Sequence, residues 1–251
     1  MGEEVFDAPS AWRMEAVDRL RLTGEDRVAG LITGAGYPDS LAPVIEAFAA
    51  FDGPICDVGA GLGAATWWIA SGADVDAVAV EPEPRAAGLA HQAFPQLDVI
   101  AGAASALPLR AGSCGGVAML GVVSLLADLE DVMAEARRVL RPGGRLAIAD
   151  LCARDEDRLA PPETSNVFRS TTALTAALSS FGLSVDRVWT APATLSTRWD
   201  SAGDQTDEEI ERRHGGSEGF RAWRADRDRL GDLISNGALE LGTLVATAQD
   251  G

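Results

Sequence analysis

Ile55-Cys-Asp-Val-Gly-Ala-Gly-Leu-Gly63 is the stretch whose residue types and spacing are best suited to chemistry. An apolar, strand-like run passes into glycines at positions 59, 61 and 63. Glycine takes positive φ without a Cβ clash, so such a turn bends tightly and lets a ligand lie against the backbone. The N–H groups at the start of a following helix then face that ligand. Glu81 ends the next apolar run, about twenty residues on, where an acidic side chain can accept both hydroxyls of a ribose. Gly59, Gly61 and Ala64 also satisfy the looser G-x-G-x-x-A pattern. A nicotinamide dinucleotide therefore has to be weighed beside other nucleoside cofactors.

Beyond the turn, groups suited to acid–base or metal chemistry are sparse. The chain holds two histidines. His91 falls on the helix expected after the second strand, away from the turn. His214, in Glu211-Arg-Arg-His-Gly-Gly216, is the one weak candidate for a catalytic base. Asp150 stands at the end of a strand without a partner carboxylate, so no metal is expected. Cys56, Cys114 and Cys152 show no C-x-x-C spacing, which argues against a disulfide framework or a zinc site and fits a reducing cytosol. Arg169 and Arg198 are candidates to pair with an anionic substrate, with a solvated arginine as the default expectation.

The elements that must position these residues alternate in type. Apolar runs at 54–58, 75–81, 98–101, 116–121, 145–151 and 183–189 read as strands. Helical patterns lie between them at 39–50, 63–71, 84–94, 128–140 and 171–181. Asp128–Leu140 is the clearest helix, with Leu129, Val132, Met133, Ala136, Val139 and Leu140 on one stripe. Arg141-Pro-Gly-Gly144 is expected to stop it. A polar segment at 191–217, a helix from Glu218 to Ser235 and a last strand at 241–248 complete the chain. This alternation predicts an α/β, Rossmann-like seven-stranded sheet with helices on both faces. The sheet is expected to be parallel except for an antiparallel last strand, with a helical cap inserted between strands 6 and 7.

Composition bounds the partners. The chain has 251 residues, 47% hydrophobic and 24% charged, which suits a globular protein with a full core. One domain is expected: an N-terminal lid and first helix at 1–50, a cofactor-binding half at 51–151, and a substrate-facing half at 152–251 with its insertion at 191–237. A formal net charge of −17, with arginine as the only strong base, argues against a nucleic-acid partner. No apolar run approaches a membrane span, and the acidic start lacks a signal-peptide core. A cytoplasmic protein acting on a small molecule is expected, with a homodimer left open.

The order Asp57-Val-Gly-Ala-Gly-Leu-Gly63, Glu81, Ala106-Leu-Pro108, Gly121-Val-Val123 and Val139-Leu-Arg-Pro-Gly-Gly-Arg-Leu146 resembles the UbiE-like class I methyltransferases over residues 40–151. The resemblance implies S-adenosylmethionine as cofactor. Gly59, Ala60, Gly61 and Gly63 would form the turn against its methionine part, with Asp57 orienting the loop or accepting from the amino group. Glu81 and Pro82 would hold the ribose side, Ala104 and Ser105 would contact the adenine through their backbone, and Leu120 and Gly121 would pass beneath the sulfonium. Tyr37 in the N-terminal approach, Ser124 where many relatives carry histidine, and Trp199 in the insertion are implied substrate contacts. One departure matters. Many relatives place an aspartate at the second position of Gly102-Ala-Ala104, where it accepts from the adenine amino group, and here it is Ala103. Losing such a bond costs about 1.5–3 kcal/mol. Methyl transfer to an oxygen, nitrogen or carbon of a metabolite is the implied activity. The alternatives are a cyclase or binder that keeps the cofactor without methyl transfer, and an NAD(P)-dependent oxidoreductase.

Overall fold

The computed structural model describes residues 4–34, 36–49, 53–156 and 166–249. Its frame is a seven-stranded sheet in the order β3-β2-β1-β4-β5-β7-β6. The strands are β1 Ile55–Val58, β2 Ala77–Glu81, β3 Asp98–Ala101, β4 Cys114–Leu120, β5 Leu140–Ala153, β6 Leu183–Pro192 and β7 Leu239–Ala248. Strands β1 to β5 pair in parallel, and β7 runs antiparallel to both β5 and β6. The expected seven-stranded arrangement with an antiparallel last strand is therefore present.

Strand alternation divides the core into two layers. Val117, Met119, Leu146, Ile148, Leu244 and Ala246 point to one face, where they meet Met133 of α6 (Glu130–Val139) and Leu174 and Leu178 of α7 (Thr171–Ser180). Ala118, Ala147, Ala149 and Val245 point to the other. There they meet Val44 and Phe48 of α3 (Ala42–Phe48) and Ile69 of α4 (Ala64–Ala73). The small alanines on that face let α3 and α4 approach closely. The apolar stripe of α6 is buried at Val132, Met133, Ala136 and Val139, as its spacing requires.

Two local readings need correction. Strand β5 starts at Leu140, so Arg141-Pro-Gly-Gly144 lies inside the strand instead of separating it from the helix. Leu140 pairs with Cys114, and the register then shifts so that Arg145 pairs with Gly116. The Pro-Gly-Gly run is absorbed in that irregularity, with Gly143 at φ +70°. In addition, the polar segment at 191–217 contains a helix, α8 Asp200–His214. With α9 (Glu218–Ser235) it packs on α1 (Glu4–Leu20), and α8 also meets α2 (Gly24–Leu31). Together they form a helical layer over the ends of β4 and β5, joined to the sheet by Trp199 against Trp68 of α4 at 4.8 Å.

Candidate active site

Every residue of the expected cofactor set lies at the carboxyl ends of β1 to β4 or in the loops just beyond them, where open α/β sheets bind ligands. The turn after β1 puts Gly59, Gly61 and Gly63 at φ +74°, +55° and +76°, a region costly for residues with a Cβ. Gly59 and Ala60 donate their N–H groups to Val80 O, which fixes the loop to β2. A Cβ on Gly59 would meet Val122 Cγ2 at 2.6 Å, whereas one on Gly61 would meet nothing within 4 Å. The first glycine therefore serves packing, and the second borders open space.

Two carboxylates face this turn. Glu81 Oε2 accepts from the Gly61 N–H at 2.8 Å and Oε1 from the Glu83 N–H at 3.1 Å. Burial raises its pKa, and the two backbone donors oppose that rise. Each oxygen keeps a free lone pair. Asp57 is 1% exposed and accepts from the Thr66 hydroxyl through Oδ2, while its Oδ1 is buried without a partner. Burial pushes its pKa up to about 7, with Glu81 adding to the rise and Thr66 opposing it. A buried carboxylate oxygen with no donor calls for a ligand group or ordered water that supplies one.

The loop carrying Ala104 and Ser105 is clamped from α6. Glu135 accepts from the Leu107 N–H at 2.7 Å, and Arg138 donates to the carbonyls of Leu107 and Leu109. This fixes the Ala106-Leu-Pro108 motif at the far end of the site. Ala103 forms only a backbone bridge with Ala106.

Beside Gly121 a cavity of about 550 Å³ opens between the sheet and the helical layer. Its lining brings together Tyr37, Ser124 and Trp199, the three substrate contacts expected from sequence, and adds residues that sequence reasoning passed over. Asp150 lies on its wall, with Oδ2 accepting from the Ser124 N–H at 3.0 Å. Burial raises the Asp150 pKa, and backbone donors from Ser124, Leu151 and Val123 pull it back. Arg13 of α1 and Arg227 of α9 both bind Asp207 of α8, at 2.5 and 2.7 Å. Arg13 also donates to Gly30 O at 2.9 Å, which ties α1, α2, α8 and α9 into one lid. Glu25 of α2 adds a second tie, accepting from Arg198 and from the Trp199 indole at 2.6 Å each. The signal for Arg13 was absent from the sequence, because nothing there pairs an arginine with an aspartate so distant in the chain.

His214 is not part of this cavity. Its ring stacks on Trp12 at 4.9 Å, in the cluster with Phe220 and Trp223. Its Nε2 lies 3.5 Å from Glu15 Oε2, too long for a good hydrogen bond. The weak catalytic candidacy of His214 therefore has no geometric basis. Among the described residues no His, Cys, Asp and Glu group could hold a metal ion, and no helix is long and apolar enough to cross a membrane.

Comparison with known proteins agrees with this geometry. Residues 56–148 match the family model described as a methyltransferase domain. The cyclase SpnF superposes with a TM-score of 0.68 at 17% identity, covering 94% of this chain and 93% of that one. A protein described as a sarcosine dimethylglycine methyltransferase, from Galdieria sulphuraria, gives 0.64 at 18% identity over 84% and 83% of the two chains. Geranyl diphosphate C-methyltransferase from Streptomyces coelicolor, solved with Mg2+, geranyl diphosphate and S-adenosyl-L-homocysteine, gives 0.56 at 13% over 78% and 73%. At such identities the likeness speaks for fold: this chain has the fold of the S-adenosylmethionine-dependent methyltransferases. No curated protein sequence matches it.

Proposed function

We propose that the chain binds S-adenosylmethionine at the glycine turn and transfers its methyl group to a nitrogen, oxygen or carbon of a small metabolite, as UbiE-like methyltransferases do. The observation that carries this reading is the meeting, at Gly121, of the ligand cradle and the 550 Å³ cavity. The open space over Gly61 admits the methionine part against bare backbone. Asp57 Oδ1, buried and without a donor, would accept from the ligand amino group in this reading. Glu81 retains a lone pair on each oxygen for the ribose hydroxyls. Pro82, Ala104 and Ser105 border the adenosine side, and Leu120 and Gly121 border the sulfur.

Bound S-adenosylmethionine supplies a methyl on a sulfonium, an electrophile whose transfer depends on alignment more than on acid–base help. The chain's part is therefore to hold both reactants and exclude water. The lid of α1, α2, α8 and α9, fastened by Arg13 and Glu25, does both over the cavity. In this reading residues 152–251, with their insertion at 191–237, form the substrate-facing half of one domain, and residues 1–50 supply its N-terminal lid and first helix. Labelled methyl groups should pass from S-adenosylmethionine to one member of a pooled small-metabolite set, with S-adenosylhomocysteine appearing in equal amount. A second reading keeps the cofactor without the transfer. Ala103, which offers no side-chain acceptor to an adenine, favours it, and binding without release of S-adenosylhomocysteine in any pool would establish it.

A further inference from the structure

The cavity beside Gly121 has a charge asymmetry that the methyl donor does not explain. On its wall the Asp150 carboxylate accepts an N–H on each oxygen, from Ser124 at 3.0 Å and from Leu151 at 2.7 Å. The Ser124 hydroxyl and the Val123 N–H also stabilise this carboxylate, so its charge is met by neutral donors and by no paired cation. Arg169 is the cation whose field reaches Asp150, but it donates to the carbonyls of Val123, Val167, Leu126 and Ala127 and forms no ion pair with that group. Tyr37 lines the same cavity, is 6% exposed, and lies within the field of Asp150. Its hydroxyl hydrogen-bonds to none of the described residues. A tyrosine hydroxyl without a protein partner and a carboxylate without an ion pair, lining one cavity, mark a place where a donor group belongs.

The remainder of the lining adds to the asymmetry. Asp200 and Asp204 bring two further carboxylates from α8. The two lining cations, Arg13 and Arg227, are both committed to the single carboxylate of Asp207. An anionic substrate would thus meet Asp150 with no unpaired cation among the described lining residues. Between these polar groups the wall is apolar, with Ile32, Phe168, Leu230 and Ile234, and Leu125 half exposed beside it.

We propose that the cavity binds a small amine in its ammonium form, the head on Asp150 and Tyr37 and an apolar body along Phe168, Leu230 and Ile234. Charge-assisted hydrogen bonds to the ammonium are roughly twice as strong as neutral ones, so the amine is preferred to an isosteric alcohol. Carboxylates and phosphates are disfavoured by the same charges. The inference rests on the glycine turn being the cofactor cradle, because it takes Gly121 as the place where the two ligands meet.

The test is calorimetric titration of the protein saturated with S-adenosylhomocysteine, using benzylamine, benzyl alcohol and benzoate, which share one apolar body. Benzylamine should bind at least about tenfold tighter than benzyl alcohol, with benzoate the weakest. Asp150→Asn should remove that preference, bringing the affinity for benzylamine down to that for benzyl alcohol. Asp204 is exposed, so Asp204→Asn keeps the fold, and it should weaken benzylamine alone by about two- to fivefold. Equal binding of the three ligands, preference for benzoate, or no benzylamine binding at millimolar concentration overturns the proposal. If Asp150→Asn does not fold, an unchanged amine preference in Asp204→Arg overturns it instead. Failure of S-adenosylhomocysteine to bind would refute the cofactor reading, and the three-ligand comparison on the free protein would still decide the amine preference.

Discussion

Gly61→Ala separates a ligand cradle from a structural turn. Gly61 sits at φ +55°, and a Cβ there would meet no protein atom within 4 Å. The left-handed backbone costs a residue with a Cβ about 1–2 kcal/mol, and no packing clash adds to it. For a chain of this size that corresponds to a fall in Tm of roughly 2–8 °C. Gly112 provides the control, since it has φ +65° and equally open surroundings but stands in the turn before β4, outside the site. Gly112→Ala should lower Tm by a similar amount. The difference appears in binding. A methyl on Gly61 enters the space assigned to the ligand, and overpacking of that kind costs about 1–3 kcal/mol, or roughly five- to 150-fold in Kd. Calorimetry with S-adenosylhomocysteine should therefore show the loss in Gly61→Ala and wild-type affinity in Gly112→Ala. Equal affinity in the two variants would refute the assignment of the turn.

Asp57 gives a pH test. Its folded pKa of about 7 lies above its unfolded value, so the ligand-free protein holds this proton more tightly than the unfolded chain does. Stability from this group is present at low pH and declines as pH rises through the window up to about 7, by at most about 4 kcal/mol. Asp57→Asn should match wild type near pH 4 and be more stable at pH 8 in chemical denaturation; a constant difference across pH would refute the orphaned carboxylate. Arg13→Met leaves the Gly30 carbonyl without its donor and Asp207 with Arg227 alone, and should cost about 2–3 kcal/mol by urea unfolding. Met133→Ala empties a fully buried site on α6 and should cost about 2–5 kcal/mol. His214→Ala should lose about 1 kcal/mol of stacking on Trp12 while leaving S-adenosylhomocysteine affinity unchanged.

The parts of the fold that could be read from sequence are those in which one physical signal dominates. The glycines after β1 are demanded by positive φ, and α6 shows its buried stripe because Val132, Met133, Ala136 and Val139 are apolar on an otherwise charged helix. Helix α8 gave no such signal. Its buried positions are Ala202, Thr206, Glu209 and Ile210, spaced as a helix requires but with one large apolar residue among them. It packs through Thr206 bonded back to Ala202 O and through ion pairs such as Arg13 with Asp207, which periodicity of hydrophobicity cannot detect. The site divided in the same way. Gly61 and Glu81 followed from local spacing and Asp57 from the family resemblance, whereas the cavity joins Tyr37, Asp150 and Asp204 from segments that only the tertiary fold brings together. His214 misled because a lone histidine in a polar run suggests chemistry, while its ring is occupied by aromatic packing.

The most direct test of the account is calorimetric titration of the purified protein with S-adenosylhomocysteine and, separately, with NADH. The account predicts micromolar binding of S-adenosylhomocysteine and none of NADH. Binding of NADH with silence from S-adenosylhomocysteine would contradict it and assign the glycine turn and Glu81 to a nicotinamide cofactor.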